Sequence, residues 1–141
     1  MVLELLPDMQ KIKFPSQAKN IHLVEKLVDD VCDEIGIKED KYGNILIALT
    51  EAVNNAIHHG NELDPNKETS IQCGQQDEKL TFIIKDEGLG FDYDNLPDPT
   101  DPENIEKPDG RGIYLMKHLS DEMTFEENGS CVELTFNLPS N

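Results

Sequence analysis

Residues 44–60 of this 141-residue chain read NILIALTEAVNNAIHHG, and they decide the fold. On a helical wheel of about 100° per residue, one face of the stretch is apolar throughout. That face consists of Ile45, Ala48, Leu49, Ala52, Val53 and Ala56. The pattern predicts a well-buried helix that begins near Glu39 or Asp40, runs to His59 and ends at Gly60-Asn61.

A polar stripe lies beside the apolar face of the same helix and consists of Asn44, Glu51, Asn55 and His59. A carboxylate and a carboxamide one turn apart, so close to a core face, must be paired or must serve a ligand. Two interpretations remain open. One is a solvated helix edge or a capping network near Gly60; in the other, the amide oxygen of Asn55 holds Mg²⁺ and the carboxylate of Glu51 orients or deprotonates a nucleophile.

The rest of the chain reads as one α+β domain over residues 1–141. A first helix is expected over residues 16–35, with Ser16 as its N-cap and Gly36 as its stop. Two hairpins are predicted, one joining 69–75 to 80–85 and one joining 123–127 to 131–138, and a short helix is predicted over 112–119. Because helices and strands come in blocks, we expect a mostly antiparallel sheet with helices on one face.

Charge and composition exclude several classes of function. Twelve Lys and Arg against twenty-nine Asp and Glu give a formal net charge of −17. Such a chain lacks the basic face needed for nucleic acid or an anionic membrane surface. No apolar run reaches the roughly eighteen residues of a membrane helix, which favours a cytoplasmic protein. Cys32, Cys73 and Cys131 are widely spaced and predict small apolar core residues rather than a disulfide or zinc framework.

Two glycine-containing motifs follow the long helix. In Asp86-Glu87-Gly88-Leu89-Gly90, directly after an apolar strand, the glycines let the backbone approach a flat ligand, and Asp86 can accept from an exocyclic amine. A simple acidic turn is the alternative. Gly110-Arg111-Gly112 opens the short helix, where free N–H groups, the helix dipole and a guanidinium predict a phosphate site. A flexible hinge is the alternative there.

Taken in this order, the three motifs resemble the N, G1 and G2 boxes of the GHKL (Bergerat-fold) ATP-binding superfamily. The matching strings are Glu51-Ala-Val-Asn-Asn55-Ala-Ile-His-His-Gly60, Asp86-x-Gly-x-Gly90 and Gly110-Arg-Gly112-Ile. The likeness extends over residues 16–138 and is greatest to the stand-alone anti-sigma regulatory factor serine/threonine kinases. It implies a two-layer α/β sandwich.

The resemblance implies a role for each matching position at the phosphate end. Asn55 would be the Mg²⁺ ligand, and Glu51 would be the general base that activates the attacking hydroxyl. Gly110 and Gly112 would wrap the phosphates, and Arg111 would contact the γ-phosphate.

At the adenine end, the same resemblance makes Asp86 the acceptor for the adenine amino group, with Gly88 and Gly90 beside the nucleotide. Thr135, on the last strand, is a further candidate for the adenine hydrogen-bond network. Residues 91–109 would form the ATP lid; they are acidic, interrupted by prolines and without periodicity.

The activity implied by the resemblance is transfer of the γ-phosphoryl group of Mg·ATP to a Ser or Thr of an anti-sigma-factor antagonist. A sigma factor would be a second partner, and family members often form homodimers. The alternative is a non-catalytic nucleotide-binding module that works by partner exchange. A detached catalytic domain of a sensor histidine kinase is less favoured, because the residues after His22 lack the expected acid, arginine and proline.

The net charge bears on nucleotide binding as well. A chain this acidic repels ATP unless cations are supplied locally, and Mg²⁺ on Asn55, Arg111, Lys117 and the N–H groups after Gly110 are the expected sources. Nucleotide binding should therefore depend strongly on Mg²⁺, and the acidic surface should recognise a basic patch on a protein partner.

Overall fold

The computed structural model describes residues 10–88 and 108–138, and the side chains of residues 10, 108–111 and 128 are not among those described. The elements are, in chain order, β1 (Gln10–Pro15), α1 (His22–Ile35), α2 (Glu39–Asn55), β2 (Glu68–Gln76), β3 (Lys79–Lys85), α3 (Pro108–Leu119), β4 (Glu122–Glu126) and β5 (Cys131–Asn137). A 3₁₀ turn, Ala18–Ile21, precedes α1, and one π-helical turn, Ala56–Gly60, extends α2. Within the described ranges, no helix is long and apolar enough to cross a membrane.

The five strands form one sheet of order β1-β2-β3-β5-β4, in which every neighbouring pair is antiparallel. Alternate residues of the central strands point to one face and are buried; Ile84, for example, lies opposite both Ile71 and Val132. Phe82 and Phe136 meet edge to face on that side, with ring centroids 6.0 Å apart. These side chains share one core with α1, α2 and α3. The expected α+β fold, an antiparallel sheet covered by helices on one face, is confirmed.

The helix α2 is central to the helical layer, since it packs against both α1 and α3. All six residues of its predicted apolar face are buried. On one side, the Tyr42 hydroxyl donates to Asp29 of α1, and this hydrogen bond raises the pKa of Tyr42 to about 12. On the other side, Lys41 forms an ion pair of 3.3 Å with Asp121, directly after α3. The start of α2 is thus beside the end of α3, and the two helices are antiparallel.

The beginning of the chain differs from the prediction. Residues Gln10–Pro15 form an edge strand that was not predicted, and α1 begins at His22 rather than near residue 16. Ser16 is therefore not an N-cap. Its side chain is fully buried, and its hydroxyl lies 2.9 Å from the Thr69 hydroxyl at the start of β2. The Ser16 hydroxyl therefore pairs with a side chain 53 residues away instead of capping a helix next to it.

Most other element boundaries agree with the sequence patterns. Both hairpins and the stop at Gly36 are confirmed, and α2 with its π-helical turn ends at Gly60 as expected. The exception is α3, which begins at Pro108 instead of Gly112. Proline is well suited to the first position of a helix, because its missing N–H has no intrahelical partner there.

All three cysteines are free and buried, as predicted. Burial is the main cause that raises the pKa of Cys32 and Cys131 to about 11 and that of Cys73 to about 12. Because the thiolate is the reactive form, these thiols are unreactive at neutral pH and behave as small apolar side chains.

Substitutions at two glycines of the helical layer test whether backbone conformation alone changes the free energy of unfolding. Gly36 has a φ of +81°, whereas Gly43 lies inside α2, and a Cβ added at either would meet open space. We expect Gly36→Ala to lower the free energy of unfolding by about 1 kcal/mol, because L residues resist that conformation. Gly43→Ala, the matched control, should raise it by about 0.5–1 kcal/mol. Urea unfolding measures both; changes of the same sign would contradict the assignment of α1's end.

Candidate active site

Asp86 lies directly after β3 on the face that the helices cover. Its backbone N–H donates to the carbonyl of Ser130 at 2.9 Å, which continues the pairing of β3 with β5 by one position. The N–H of Gly88 donates to Oδ1 of Asp86 at 2.7 Å, so the chain turns around its own carboxylate. The Asp86 side chain is 9% exposed. The strand end thus presents a nearly buried hydrogen-bond acceptor toward the helical layer.

Two glycines make this arrangement possible. A Cβ on Gly60 would overlap the carboxylate of Asp86, with Oδ1 at 2.7 Å, and a Cβ on Gly88 would overlap the carbonyl group of Gly60, with its carbon at 2.7 Å. The end of the π-helical turn, the turn after β3 and the Asp86 carboxylate therefore meet where no further side chain fits. Gly90, the other glycine of this motif, lies outside the described residues.

The surroundings of Asp86 shift the pKa of its carboxyl in opposite directions. Burial raises the pKa of the carboxyl above its ordinary value, and the nearby charge of Glu127 raises it further. The Gly88 N–H and the charge of Lys67 act in the other direction. Lys67 is a local cation that the sequence motifs did not identify. An ionised carboxylate only accepts hydrogen bonds, so Asp86 is suited to a ligand that presents N–H groups.

Glu51 and Asn55 lie one turn apart on α2, and both side chains are half-buried. A Cβ on Gly112 would stand 2.9 Å from Oε2 of Glu51, so the carboxylate packs against the first half of α3. Asn55 comes next along α2, and Gly60, which touches Asp86, ends the following turn. The structure therefore brings the three sequence motifs together along one helix, with Glu51 at one end and Asp86 at the other. Asn44 is half-buried, and His59 is exposed.

The start of α3 changes one sequence-based expectation. Because the helix begins at Pro108, Gly110 and Arg111 lie in its first turn and Gly112 follows them. The first four positions of a helix have no intrahelical partner for their N–H groups, so the free N–H groups here precede Gly112 rather than follow Gly110. Lys117 lies in the last turn, away from that end. Its distance from the helix start, six residues or about 9 Å beyond Arg111, gives no support to the expected role as a local cation for phosphates.

Thr135 is not part of this cluster. It lies opposite Thr81, and the two buried hydroxyls are 3.3 Å apart. Thr81 is five residues before Asp86, roughly 17 Å along an extended strand. The prediction had identified the strand but not its register. Ser130 is the residue beside Asp86; it is buried, and its hydroxyl donates to the carbonyl of Glu127 at 2.9 Å.

Comparisons with known proteins agree with this geometry. The model of the histidine kinase-like ATPase domain family matches residues 14–136. Serine-protein kinase RsbW of Bacillus subtilis (strain 168) is 30% identical over 135 residues, which cover 91% of this chain and 84% of the relative. This chain belongs to the RsbW family of histidine kinase-like ATPase domains. RsbW of Bacillus cereus (strain Q1) is 27% identical over 132 residues, covering 89% and 82%.

A solved structure shares the fold. The RsbU and RsbW domains of a Mycobacterium tuberculosis protein match with a TM-score of 0.65 at 16% identity. The match covers 92% of this chain, which spans 32% of that longer one. The resemblance drawn from the three motifs is thereby confirmed at the level of family and fold, and ATP is the nucleotide of the family.

The described residues fit a nucleotide with a single divalent cation. Nowhere in residues 10–88 and 108–138 do three or more His, Cys, Asp or Glu side chains form a group that could hold a metal ion. Mg²⁺ often takes only one or two protein ligands and completes its shell with phosphate oxygens and water. A lone amide oxygen at Asn55, between the carboxylate of Glu51 and the glycine-lined end at Asp86, suits that mode of binding.

The buried carboxyl of Asp86 predicts a pH-dependent stability. With a raised native pKa, the folded state holds more protons than the unfolded state above the ordinary value of about 3.9, so Asp86 loses stabilising effect as pH rises through its native pKa. We therefore expect Asp86→Asn, which does not titrate, to gain stability relative to wild type between about pH 4 and pH 7. Urea unfolding at both pH values measures this change.

Asp30→Asn is the control, because it removes the same charge at an exposed position of α1. We expect it to show a smaller change across the same pH interval. If the two variants respond to pH alike, burial at Asp86 is not the cause.

Proposed function

We propose that the chain is a serine/threonine protein kinase that transfers the γ-phosphoryl group of ATP to a hydroxyl of a protein partner, an anti-sigma-factor antagonist. One observation carries the proposal. The Glu51 carboxylate packs against Gly112, one residue beyond the first turn of α3. A base for the acceptor hydroxyl and a helix start suited to phosphate are therefore adjacent.

Asp86 recognises the base of the nucleotide. Its carboxylate accepts from the exocyclic amine of adenine, and Gly60 and Gly88 leave no side chain between the backbone and the edge of the ring. Ser130, directly before β5, lies beside Asp86 at this end. The base is adenine because the chain matches an ATPase domain family; a carboxylate by itself would also accept from the N1–H and the 2-amino group of guanine.

Asn55 and the start of α3 hold the phosphates. Asn55 would hold Mg²⁺ through its amide oxygen, and the ion would supply positive charge to neutralise the phosphate oxygens. The free N–H groups of the first turn of α3 and the Arg111 guanidinium bind oxygens of the β- and γ-phosphates. Residues 91–109 are proposed as the lid over this site; residues 91–107 lie outside the described residues, and Pro108 and Asp109 belong to α3.

Glu51 directs the transfer. It accepts the proton of the acceptor hydroxyl while the hydroxyl oxygen forms a bond to the γ-phosphorus. The bond between that phosphorus and the β–γ bridging oxygen breaks, and its electron pair leaves with ADP. Most of the rate acceleration in such a reaction comes from positioning and charge stabilisation, so Glu51 needs to be oriented more than it needs to be strongly basic.

The protein partner follows from the family and from charge. We propose an anti-sigma-factor antagonist as the phosphoryl acceptor, a sigma factor as a second ligand, and a homodimer as the assembly. A chain of net charge −17 favours a partner with a basic contact surface, because complementary charge speeds and orients encounter.

We expect Glu51→Gln to lower the rate of phosphoryl transfer by about 10²-fold or more, since it removes the proton acceptor and keeps the shape. Affinity for Mg·ATP should stay within about threefold of wild type. Transfer of labelled phosphate to a cognate antagonist measures the rate, and calorimetry measures the affinity. Glu39→Gln makes the same chemical change in the exposed first turn of α2 and should leave both unchanged.

Equal rates for Glu51→Gln and wild type would remove Glu51 as the base. Tight nucleotide binding by wild type with no transfer to any cognate partner would instead support the non-catalytic module.

Adjacent asparagines test the metal assignment. Asn55→Ala should reduce affinity for ATP in Mg²⁺ to the value that wild type shows in a chelator, because the metal loses its protein ligand. Asn54→Ala changes the neighbouring half-buried asparagine, which lies about 100° away around α2, and should keep the Mg²⁺ dependence. Titration of each protein with ATP, in Mg²⁺ and in EDTA, measures this dependence. If wild type binds ATP equally well under the two conditions, Asn55 is not a Mg²⁺ ligand that supports ATP binding.

A further inference from the structure

Asn61 lies outside the three motifs, and both ends of its side-chain amide are hydrogen-bonded. It follows the π-helical turn, and its side chain is fully buried. Its Nδ2 donates to Oγ of Ser16 at 2.7 Å and to the carbonyl of Glu68 at 3.1 Å, with the Thr69 hydroxyl at 3.4 Å. Its Oδ1 accepts from the backbone N–H of Glu87 at 2.8 Å.

The chemistry of the partners fixes the orientation of this amide. The backbone N–H of Glu87 only donates, so it must face the oxygen of Asn61. The carbonyl of Glu68 only accepts, so it must face the nitrogen. Among the coded side chains of this size, only a carboxamide offers both a donor and an acceptor in that arrangement. Aspartate would lose the donors, and leucine would lose all of these bonds.

One side chain thereby connects three strands to the end of α2. Ser16 directly follows β1, Glu68 and Thr69 begin β2, and Glu87 follows β3. A second bond strengthens the same junction, because Oε2 of Glu87 accepts from the backbone N–H of Glu68 at 2.6 Å. The backbone N–H of Asn61 also donates to the carbonyl of Ala56 at 2.8 Å, which holds it at the helix end.

Glu87 matters because of its neighbours. Asp86 precedes it, and Gly88 follows it with an N–H that donates to Asp86. The carbonyl of Gly60, the residue before Asn61, lies where a Cβ of Gly88 would stand. When Asn61 fixes the Glu87 amide, it fixes the peptide plane between Asp86 and Glu87, and the bond from the Gly88 N–H to Asp86 holds the next plane. Among the described residues Asn61 has no hydrogen bond to Asp86, so its hydrogen bonds act on the carboxylate through this turn.

We propose that Asn61 is the positioning residue of the adenine end: its hydrogen bond to the Glu87 amide sets the direction of the Asp86 carboxylate and hence the affinity for adenine nucleotides. The inference rests on the proposed function for its ligand. The hydrogen bond and the order it imposes on residues 86–88 can be measured without any ligand.

The first experiment needs no nucleotide. Amide hydrogen exchange, resolved by NMR, should show the Glu87 amide protected in wild type and much less protected in Asn61→Ala. Ser16→Ala removes another partner of the same amide and keeps the acceptor for Glu87, so it is the matched control and should retain the protection. An unprotected Glu87 amide in wild type overturns the proposal, and this result does not depend on whether Asn61→Ala folds.

The second experiment measures affinity for Mg·ADP by calorimetry, together with the midpoint of thermal unfolding. We expect Asn61→Ala to bind about tenfold more weakly or worse, while Ser16→Ala, even with a comparable loss of midpoint, stays within about twofold of wild type. Asn61→Asp keeps the acceptor for Glu87 and should bind more tightly than Asn61→Ala. If Ser16→Ala and Asn61→Ala lower the unfolding midpoint equally and also weaken Mg·ADP binding equally, Asn61 has only a structural role. That result overturns the proposal.

The two experiments separate the proposals. If wild type is protected at Glu87 but binds no ADP, the nucleotide site is wrong, while the hydrogen bond of Asn61 stands as a structural one and its proposed effect on affinity is overturned. If wild type binds ADP and Asn61→Ala binds it equally well, the nucleotide site stands and the positioning role fails.

Discussion

The fold depends on close contact between the end of α2 and the end of β3. Gly60 and Gly88 lie at this contact, and neither could carry a Cβ without displacing Asp86 or the other backbone. The contact sets how near the helical layer approaches the end of the central strand β3. It also encloses a carboxylate that either a longer connection or a larger residue would leave in water. The burial of Asp86, the turn at residues 86–88 and the location of Asn61 all follow from this absence of side chains.

A nearly buried carboxyl is unfavourable for stability, and the surroundings of Asp86 reduce that cost only in part. The Gly88 N–H and the charge of Lys67 favour the ionised form, whereas burial and Glu127 oppose it. A polar residue without charge would be more stable at this position. Proteins keep such groups where a ligand needs them, and a raised pKa in a backbone-lined recess is typical of functional sites. The raised pKa of Asp86 therefore supports its assignment as a ligand-binding group, in addition to its place in a motif.

The sequence predicted those features that local pattern determines. The apolar face of α2, both hairpins and the stop at Gly36 follow from periodicity and turn chemistry, and all appear in the structure. What it missed depends on partners far along the chain. Ser16 looks like an N-cap until Thr69 is placed beside it, and Asn61 looks like a helix stop until Glu87 is placed beside it. Thr135 shows the same limit, since a strand can be predicted without its register, and only pairing shows that Ser130 lies opposite Asp86. The edge strand β1 did leave a signal, because Ile12 and Phe14 alternate with Lys11 and Lys13, but it is short.

The two ends of the site are built differently, and the difference has a physical reason. At the proposed adenine end, the Gly88 N–H and the hydrogen bonds of the Asn61 side chain hold the turn around a carboxylate, which would face a neutral ring. At the proposed phosphate end, Glu51 lies against α3, whose N-terminal dipole end attracts anions. A triphosphate bound there would be attracted to the same helix end and would be repelled by the Glu51 carboxylate. A second carboxylate at position 55 would bring a further negative charge next to the phosphates of an already acidic protein. The neutral amide of Asn55 offers an oxygen to a metal ion without that charge. In the proposed site, one carboxylate and one amide on successive turns of α2 would therefore let a base, a cation and a polyphosphate lie close together, which two carboxylates would do only against greater repulsion.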